Sequence, residues 1–115
     1  MLSQQMALRQ QCRHPSGEYV EITHAETEQS VIARFARIVA AYPDKPAIVD
    51  PIKRLTYAEL DQASNRIARA LQRRGGQIDE PLAILMENGT EKLVAIYGAT
   101  KAGMCYVVLP PETPE

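Results

Sequence analysis

Cys12, His14 and His24 are the side chains of this sequence best suited to ligate a metal, and His14 and His24 are its only histidines. Two or three ligands without a second Cys/His cluster fall short of the four that a structural zinc site uses. This stretch therefore reads as a polar leader, and neither histidine has a nucleophile at a spacing that would make it a general base. Gly75-Gly76 is the only paired glycine, preceded by Arg73-Arg74 and followed by Gln77-Ile78-Asp79-Glu80. A phosphate-cradling loop would add Ser, Thr and Lys to clustered glycines, so the pair reads as a helix stop. Asp79 and Glu80 are adjacent acids on a connector and read as a solvated turn. Arg66, Arg69, Arg73 and Arg74 could form a basic patch, but interspersed acids and the near-neutral charge balance make them read as a solvated helix face. No serine lies in a Gly-x-Ser-x-Gly elbow. No catalytic, cofactor-binding or metal-ligating residue is assigned from these patterns.

The elements that would position any site are more legible. Val31, Ile32, Phe35, Ile38, Val39 and Tyr42 recur at helical spacing, with Ser30 as cap and Pro43 as stop. Pro46-Ala47-Ile48-Val49 and Arg54-Leu55-Thr56 flank a turn at Asp50-Pro51-Ile52-Lys53, a hairpin at a sheet margin. Thr56 and Glu59 form a capping box. It opens a helix with Leu60, Ala63, Ile67, Ala70 and Leu71 on one face and Gln62, Arg66, Arg69 and Arg73 off it. Leu82-Ala83-Ile84-Leu85-Met86 is continuously apolar, the mark of a strand covered on both faces. Asn88-Gly89 turns the chain and Thr90 is the expected cap of the next helix. Gly98 inside that helix costs about 1 kcal/mol relative to Ala, which a close approach to a strand would explain. Gly103 closes the helix, and Cys105-Tyr106-Val107-Val108-Leu109 is a second buried strand, with Cys105 a small buried hydrophobe. Strand, helix, strand at this spacing is a right-handed βαβ unit of a parallel sheet. The expected class is α/β. Residues 1–28 read as a partly irregular leader, with a short edge strand at Tyr19–Ile22, and residues 29–115 as the ordered unit.

Composition narrows the function classes. At 115 residues, 45% apolar and 23% charged, the chain suits one domain or a piece of one. A formal net charge of -1 gives no argument for nucleic acid or an anionic membrane as partner, and neither is expected. With no Trp and 5% aromatics there is no stacking platform for single strands. No apolar run reaches the roughly 18 residues of a membrane span, and the start lacks a signal-peptide core. A cytoplasmic location with reduced cysteines follows as the expectation. In open parallel sheets, ligands sit beyond the carboxyl ends of the strands. The sequence ends four residues beyond Pro111, so the active surface is expected to be completed by residues outside it.

Two segments carry a family resemblance. Leu55-Thr56-Tyr57-Ala58-Glu59-Leu60 resembles the first core motif of adenylate-forming enzymes, above all the adenylation domains of nonribosomal peptide synthetases. Lys101-Ala102-Gly103-Met104-Cys105-Tyr106-Val107 resembles their second. Asn65–Leu71 is similar to the helix between them, and Ser30–Pro43 with Asp44-Lys45-Pro46-Ala47 to the opening helix and strand. The ordered set spans Ser30 to Glu115. Thr100 stands where the family usually has Leu, and Val108-Leu109-Pro110-Pro111 replaces Pro-Leu-Asp-Pro, which leaves open a fatty-acyl or aryl activating branch.

The resemblance implies the N-terminal part of the large lobe of an enzyme that condenses a carboxylic acid with ATP and Mg²⁺ to an acyl-adenylate. The acyl group then passes to the phosphopantetheine of a carrier protein or to coenzyme A. The family's ATP-binding motifs follow its second core motif and have no matching position here. No catalytic residue is carried over, this segment itself is expected to bind no cofactor, and its implied partner is the remainder of the domain or a complementary polypeptide. Three readings stand: a truncated, split or proteolysed adenylation domain, inactive alone; a noncatalytic remnant or split chain that docks on a partner; and a fragment of an acyl-CoA or fatty-acyl-AMP ligase. Each leaves the two apolar strands short of cover, so an exposed apolar patch is expected.

Overall fold

The structure, a computed structural model, describes residues 2–12, 16–17 and 22–112. Five helices and four strands follow in the order α1 (Leu2–Gln11), α2 (His24–Thr27), α3 (Val31–Ala41), β1 (Pro46–Val49), β2 (Arg54–Thr56), α4 (Tyr57–Arg73), β3 (Pro81–Leu85), α5 (Thr90–Lys101) and β4 (Cys105–Leu109). The architecture is α/β. β1 and β2 form an antiparallel hairpin with a register irregularity between Pro46 and Ile48, as suits a proline at a sheet margin. β3 and β4 form a separate parallel pair, in register from Pro81↔Cys105 to Leu85↔Leu109, with α5 as the crossover.

The leader is more helical than its sequence suggests. α1 is a regular helix with no buried residue. α2 is opened by a capping box in which Glu26 N–H donates to Thr23 Oγ1 at 3.4 Å and Thr23 N–H donates to Glu26 Oε2 at 2.8 Å. Those bonds, with Arg34 and Arg37 nearby, hold the Glu26 carboxyl below its usual range. Of the expected edge strand, Tyr19 to Glu21 lie outside the described residues.

Local chemistry starts and stops the main helices. The Ala33 N–H donates to Ser30 Oγ at 3.1 Å, which caps α3. At the start of α4 the Glu59 N–H donates to Thr56 Oγ1 at 3.2 Å, and the Thr56 N–H donates to Glu59 Oε1 at 3.3 Å. Tyr57 and Ala58 donate to the carbonyls of Lys45 and Pro43, both at 3.0 Å, so the first turn leaves none of these donors orphaned. α4 ends in a Schellman closure: Gly75, at φ 85°, donates to Gln72 O, and Gly76 donates to Leu71 O. α5 closes the same way, through Gly103 at φ 76° to Thr100 O and Met104 to Ala99 O.

Two apolar clusters lie on either side of the α4–α5 contact. Phe35, Leu60 and Val94 form the first, with Val39, Ile48, Leu55, Tyr57 and Tyr97 packed around them. The Phe35 ring sits 4.7 Å from that of Tyr97, tilted by 47°. Burying each of these three large side chains is worth about 1.5–3 kcal/mol. Ala68, Ala102 and Met104 form the second, with Leu71 and Leu82.

The buried face of α4 differs from the expected one. Leu60, Ser64 and Ala68 are buried, whereas Ala70 is exposed and Ile67 partly so. Small residues, Ser64 and Ala68, share the buried face with Leu60, and Ile67, though 37% exposed, meets α5 at Gly98. Ser64 is fully buried and its hydroxyl donates to its own helix, to Leu60 O at 2.7 Å and Asp61 O at 3.0 Å. Gly98 of α5 lies against this face. A Cβ on Gly98 would lie 2.6 Å from Ile67 Cβ and 3.2 Å from Ser64 O. The close approach that Gly98 permits is therefore to a helix, not to a strand.

Cover over the parallel pair is limited to one face of β3; Tyr106 and Val108, which the register places on that same face, are 45% and 37% exposed. Ile84 is buried beneath α5, but Ala83, Leu85, Cys105 and Val107, which the register places on the opposite face, are exposed. Leu85 is 60% and Val107 49% exposed. The expectation that both strands are covered on both faces, with Cys105 buried, is corrected: within the described residues no element lies over that face. The expected exposed apolar patch is present.

Gly98→Val is expected to lower the unfolding free energy by about 2 kcal/mol or more, because the added carbons overpack the α4–α5 contact. Adding Ile67→Ala should recover part of the loss. Urea unfolding of the single and double variants measures both.

Candidate functional site

The carboxyl end of β3 is where a parallel sheet offers a ligand site, and the chain has a concavity there of about 350 Å³. Its walls are the hairpin turn, Asp50, Ile52 and Lys53, and the loop from β3 into α5, including Asn88, Gly89 and Thr90. Asp50 ties the two together. Its Oδ1 accepts from the N–H groups of Ile52 at 2.8 Å and Lys53 at 2.6 Å, closing the turn. Its Oδ2 accepts from the Thr90 N–H at 3.2 Å and from the Thr90 hydroxyl.

Asp50 is thus the side-chain cap of α5, supplied from 40 residues upstream. The expected cap, Thr90, is the first residue of the helix, and the N-cap position is Gly89, which has no side chain to offer. The four donors, the Thr90 hydroxyl foremost, pull the Asp50 carboxyl from 3.8 down to about 2. Beside it Lys53 Nζ pairs with Glu91 Oε1 at 2.5 Å, which raises the Lys53 ammonium above its ordinary value. Along this wall Asp50, Lys53, Thr90 and Glu91 are engaged with the turn, the helix start or one another. A carboxylate whose oxygens are both occupied is a fastener and not a proton acceptor for chemistry.

A second polar node lies on the other side of α5. Lys101, with its side chain only 10% exposed, reaches Asp61 Oδ1 at 2.6 Å, Asn65 Oδ1 at 2.8 Å and Asp61 O at 3.2 Å. Its ammonium also lies 5.2 Å from the centre of the Phe35 ring. One cation therefore joins α5 to α4 and rests on α3. The spacing of Asp61 and Asn65, i and i+4 on one helix, was a signal for a shared partner that sequence reasoning did not use.

The residues weighed for chemistry in the sequence are not brought together. Cys12 is exposed, the side chain of His24 is 94% exposed beside Glu28, and His14 lies outside the described residues. Among the described residues no group of three His, Cys, Asp or Glu could hold a metal ion. The N–H groups of Gly75 and Gly76 are spent on helix carbonyls, so they cannot cradle a phosphate. Glu80 is a turn residue, its Oε2 accepting from the Gln77 N–H at 2.8 Å. Asp79, at φ 64°, donates its N–H to Gly103 O, and Glu80 O accepts from Cys105, which fastens the entry of β3 to the end of α5. Arg66, Arg69, Arg73 and Arg74 are all exposed.

This combination of capped turns, crossover helix and parallel pair is a scaffold, and comparison with known proteins places it. Residues 35–115 match the family model of the AMP-binding enzyme. The chain belongs to that family. It is 38% identical over 86 residues to tyrocidine synthase 1 of Brevibacillus parabrevis, a match covering 75% of this chain and 8% of the relative. Among solved structures it is similar to the N-terminal subdomain of Klebsiella oxytoca NpsA, at a TM-score of 0.72 and 25% identity over 76% of this chain and 23% of that one. It is also similar to the nonribosomal peptide synthetase FmoA3, at 0.68 and 34% over 71% of this chain and 9% of that one. The matched segment is the N-terminal portion of an adenylation domain of the nonribosomal peptide synthetase kind, and it spans only a small part of these relatives. No helix among the described residues is long and apolar enough to cross a membrane.

Two outcomes test the polar nodes. Asp50→Ala is expected to lower the melting temperature at pH 7. Because the folded carboxyl titrates below its unfolded value, its contribution is complete above about pH 4 and is lost as pH falls through about 2. The gap between wild type and variant should therefore narrow over that window in a pH series of thermal melts. Lys101→Ala is expected to cost about 2–3 kcal/mol, since Asp61 is left partly buried without its cation. Denaturant unfolding, with Asp61→Asn as the second arm of a double-mutant cycle, reads the coupling.

Proposed function

We propose that this segment is the structural entrance to an enzyme that activates an amino acid as its acyl-adenylate, using ATP and Mg²⁺, and transfers it to the phosphopantetheine thiol of a carrier protein. The observation that carries this reading is the family match over residues 35–115, which includes both the Thr56–Glu59 capping box and the Gly103 turn into β4. The 34% identity to a nonribosomal peptide synthetase favours an amino acid over other carboxylic acids. Residues 1–28 act as a leader to the domain portion at 29–115, and the assembly works in the cytoplasm.

In that enzyme the ATP supplies the AMP leaving group and the metal offsets charge on the phosphates. The described residues do not fit either group: they hold no three-acid cluster, and their paired glycine N–H groups are already bonded. No catalytic step is therefore assigned to this chain. Its part is mechanical. The α3–α4–α5 layer fixes β3 and β4, and the uncovered apolar face of those strands, Ala83, Leu85, Cys105 and Val107, is where the remainder of the domain would pack. A fatty-acyl or aryl activating relative is the second reading, favoured by Thr100 and by Val108-Leu109-Pro110-Pro111 in place of the usual residues.

The test is carboxylate-dependent exchange of labelled pyrophosphate into ATP. The 115-residue chain alone is expected to give none. A polypeptide in which this segment is joined to the rest of its domain should give exchange with one or a few amino acids. Exchange driven only by fatty or aryl acids would replace the first reading with the second, and exchange by the isolated chain would overturn the scaffold assignment.

A further inference from the structure

Asn65 and Asn88 are the two asparagines of the chain, and asparagine is a thermolabile residue. Its side-chain amide carbon is open to attack by the backbone nitrogen of the next residue. That attack needs a following N–H that is not engaged, room around the nitrogen, and access to water. The structure supplies these at Asn88 and withholds them at Asn65.

Asn88 lies on the loop from β3 into α5 and is followed by Gly89, and both are exposed. Among the described residues the Gly89 N–H donates to no partner, while its carbonyl accepts from the Leu93 N–H at 3.5 Å. A Cβ on Gly89 would meet only Asp50 Oδ2, at 4.0 Å, so there is open space beside the nitrogen. The side-chain carbonyl is held as well: Lys92 Nζ donates to Asn88 Oδ1 at 2.9 Å. An ammonium on a carbonyl oxygen draws electrons from the carbon and offsets the charge that forms on that oxygen when a nucleophile adds.

The fold provides its own control. Asn65 is half-buried inside α4 and is followed by Arg66, whose N–H stands mid-helix, where each donor is bonded to the carbonyl four residues back. Asn65 Oδ1 also accepts from an ammonium, that of Lys101 at 2.8 Å. The two sites therefore differ in the nucleophile and not in the carbonyl.

We infer that Asn88-Gly89 is a self-modifying site whose product loosens the start of α5. The Gly89 nitrogen, on losing its proton to solvent base, attacks Asn88 Cγ. The new C–N bond closes a succinimide ring, the Cγ–Nδ2 bond breaks, and the side-chain nitrogen takes up a proton and leaves as ammonia. Water then opens the ring. Attack at Cγ gives aspartate, and attack at the main-chain carbonyl carbon gives isoaspartate, in which the chain runs through Cβ and Cγ. Isoaspartate thus inserts an extra carbon into the main chain just ahead of Gly89, the N-cap residue of α5. Thr90, next in the chain, is where Asp50 fastens the helix, through the N–H at 3.2 Å and the hydroxyl. The longer path shifts Thr90 from that carboxylate.

The test incubates the folded 115-residue chain in mildly alkaline buffer made with heavy-oxygen water, then reads each asparagine by proteolysis and mass spectrometry. Heavy oxygen is expected at position 88, with isoaspartate, detected by an isoaspartate-directed methyltransferase, among the products. Asn65 should react at least about tenfold more slowly, because a helix hydrogen bond must open first. Lys92→Ala should slow the reaction at Asn88 several-fold, and Lys92→Arg should restore it. Gly89→Ala should slow it too; if backbone strain at φ 154° costs that variant its cooperative melt, the two Lys92 variants carry the reading. The isoaspartate form, isolated by chromatography, is expected to melt at a lower temperature than the parent chain. An intact Asn88, an equal rate at Asn65, or aspartate formed without isoaspartate would overturn the proposal. So would an unchanged rate in Lys92→Ala, or an isoaspartate form that melts with the parent.

Discussion

The contact between α4 and α5 is the constraint on which the other packing depends. Two helices can approach this closely only where their side chains are small, and Ser64, Ala68, Gly98, Ala99 and Ala102 provide such a surface. Ser64 keeps its hydroxyl satisfied within α4, so a polar residue sits inside the contact without an orphaned group. With that spacing set, Phe35, Leu60 and Val94 close over one end of the contact, and Ala68, Ala102 and Met104 over the other. A wider contact would separate both clusters at once. It would also move α5 relative to β3 and β4, which that helix connects.

Lys101 works on the same contact by different physics. Apolar packing is tolerant of small rotations, whereas an ammonium shared by Asp61 and Asn65 and seated near an aromatic ring is not. The ammonium therefore adds a directional tie between α5 and α4 to the apolar packing. Asp50 does the corresponding work at the far end of the helix. Between them, the two ends of α5 are referenced to the hairpin turn and to α4. That rigid reference suits a segment whose proposed role is to present a strand pair to the rest of a domain, not to touch a substrate.

Much of this architecture was legible where one residue type has one job. The Thr56–Glu59 capping box, the Ser30 cap and the glycine stops at Gly75 and Gly103 are local, and each forms where its residues stand. The hairpin and the parallel pair followed from proline placement and from continuous apolar runs. Relations between distant segments were not legible in the same way. That Asp50 and not Thr90 caps α5 depends on where the hairpin turn lands. The buried stripe of α4 passes through Ser64 and Ala68 and not through Ala70, because α5 brings a glycine to that side, and hydrophobicity ranks those positions in the wrong order. Cys105 reads as a core residue because its neighbours are apolar, yet burial needs a covering element as well as an apolar sequence. The Thr23–Glu26 box was readable by the same rule as Thr56–Glu59, and only its place in a polar leader hid it.

The Asp50 cap also orders events in time. A helix start needs its donors answered when it nucleates, and a helix of 12 residues is marginal without that help. Here the answering carboxylate belongs to a tight turn between two short strands, a structure that closes within its own few residues and lies ahead of α5 in the chain. During synthesis from the N-terminus the residues of the turn are made first, so the carboxylate that answers α5 precedes it in the chain. The parallel strands pair residues 24 positions apart in sequence, as with Pro81 and Cys105, and the helix that spans that distance is the one Asp50 fastens at its start.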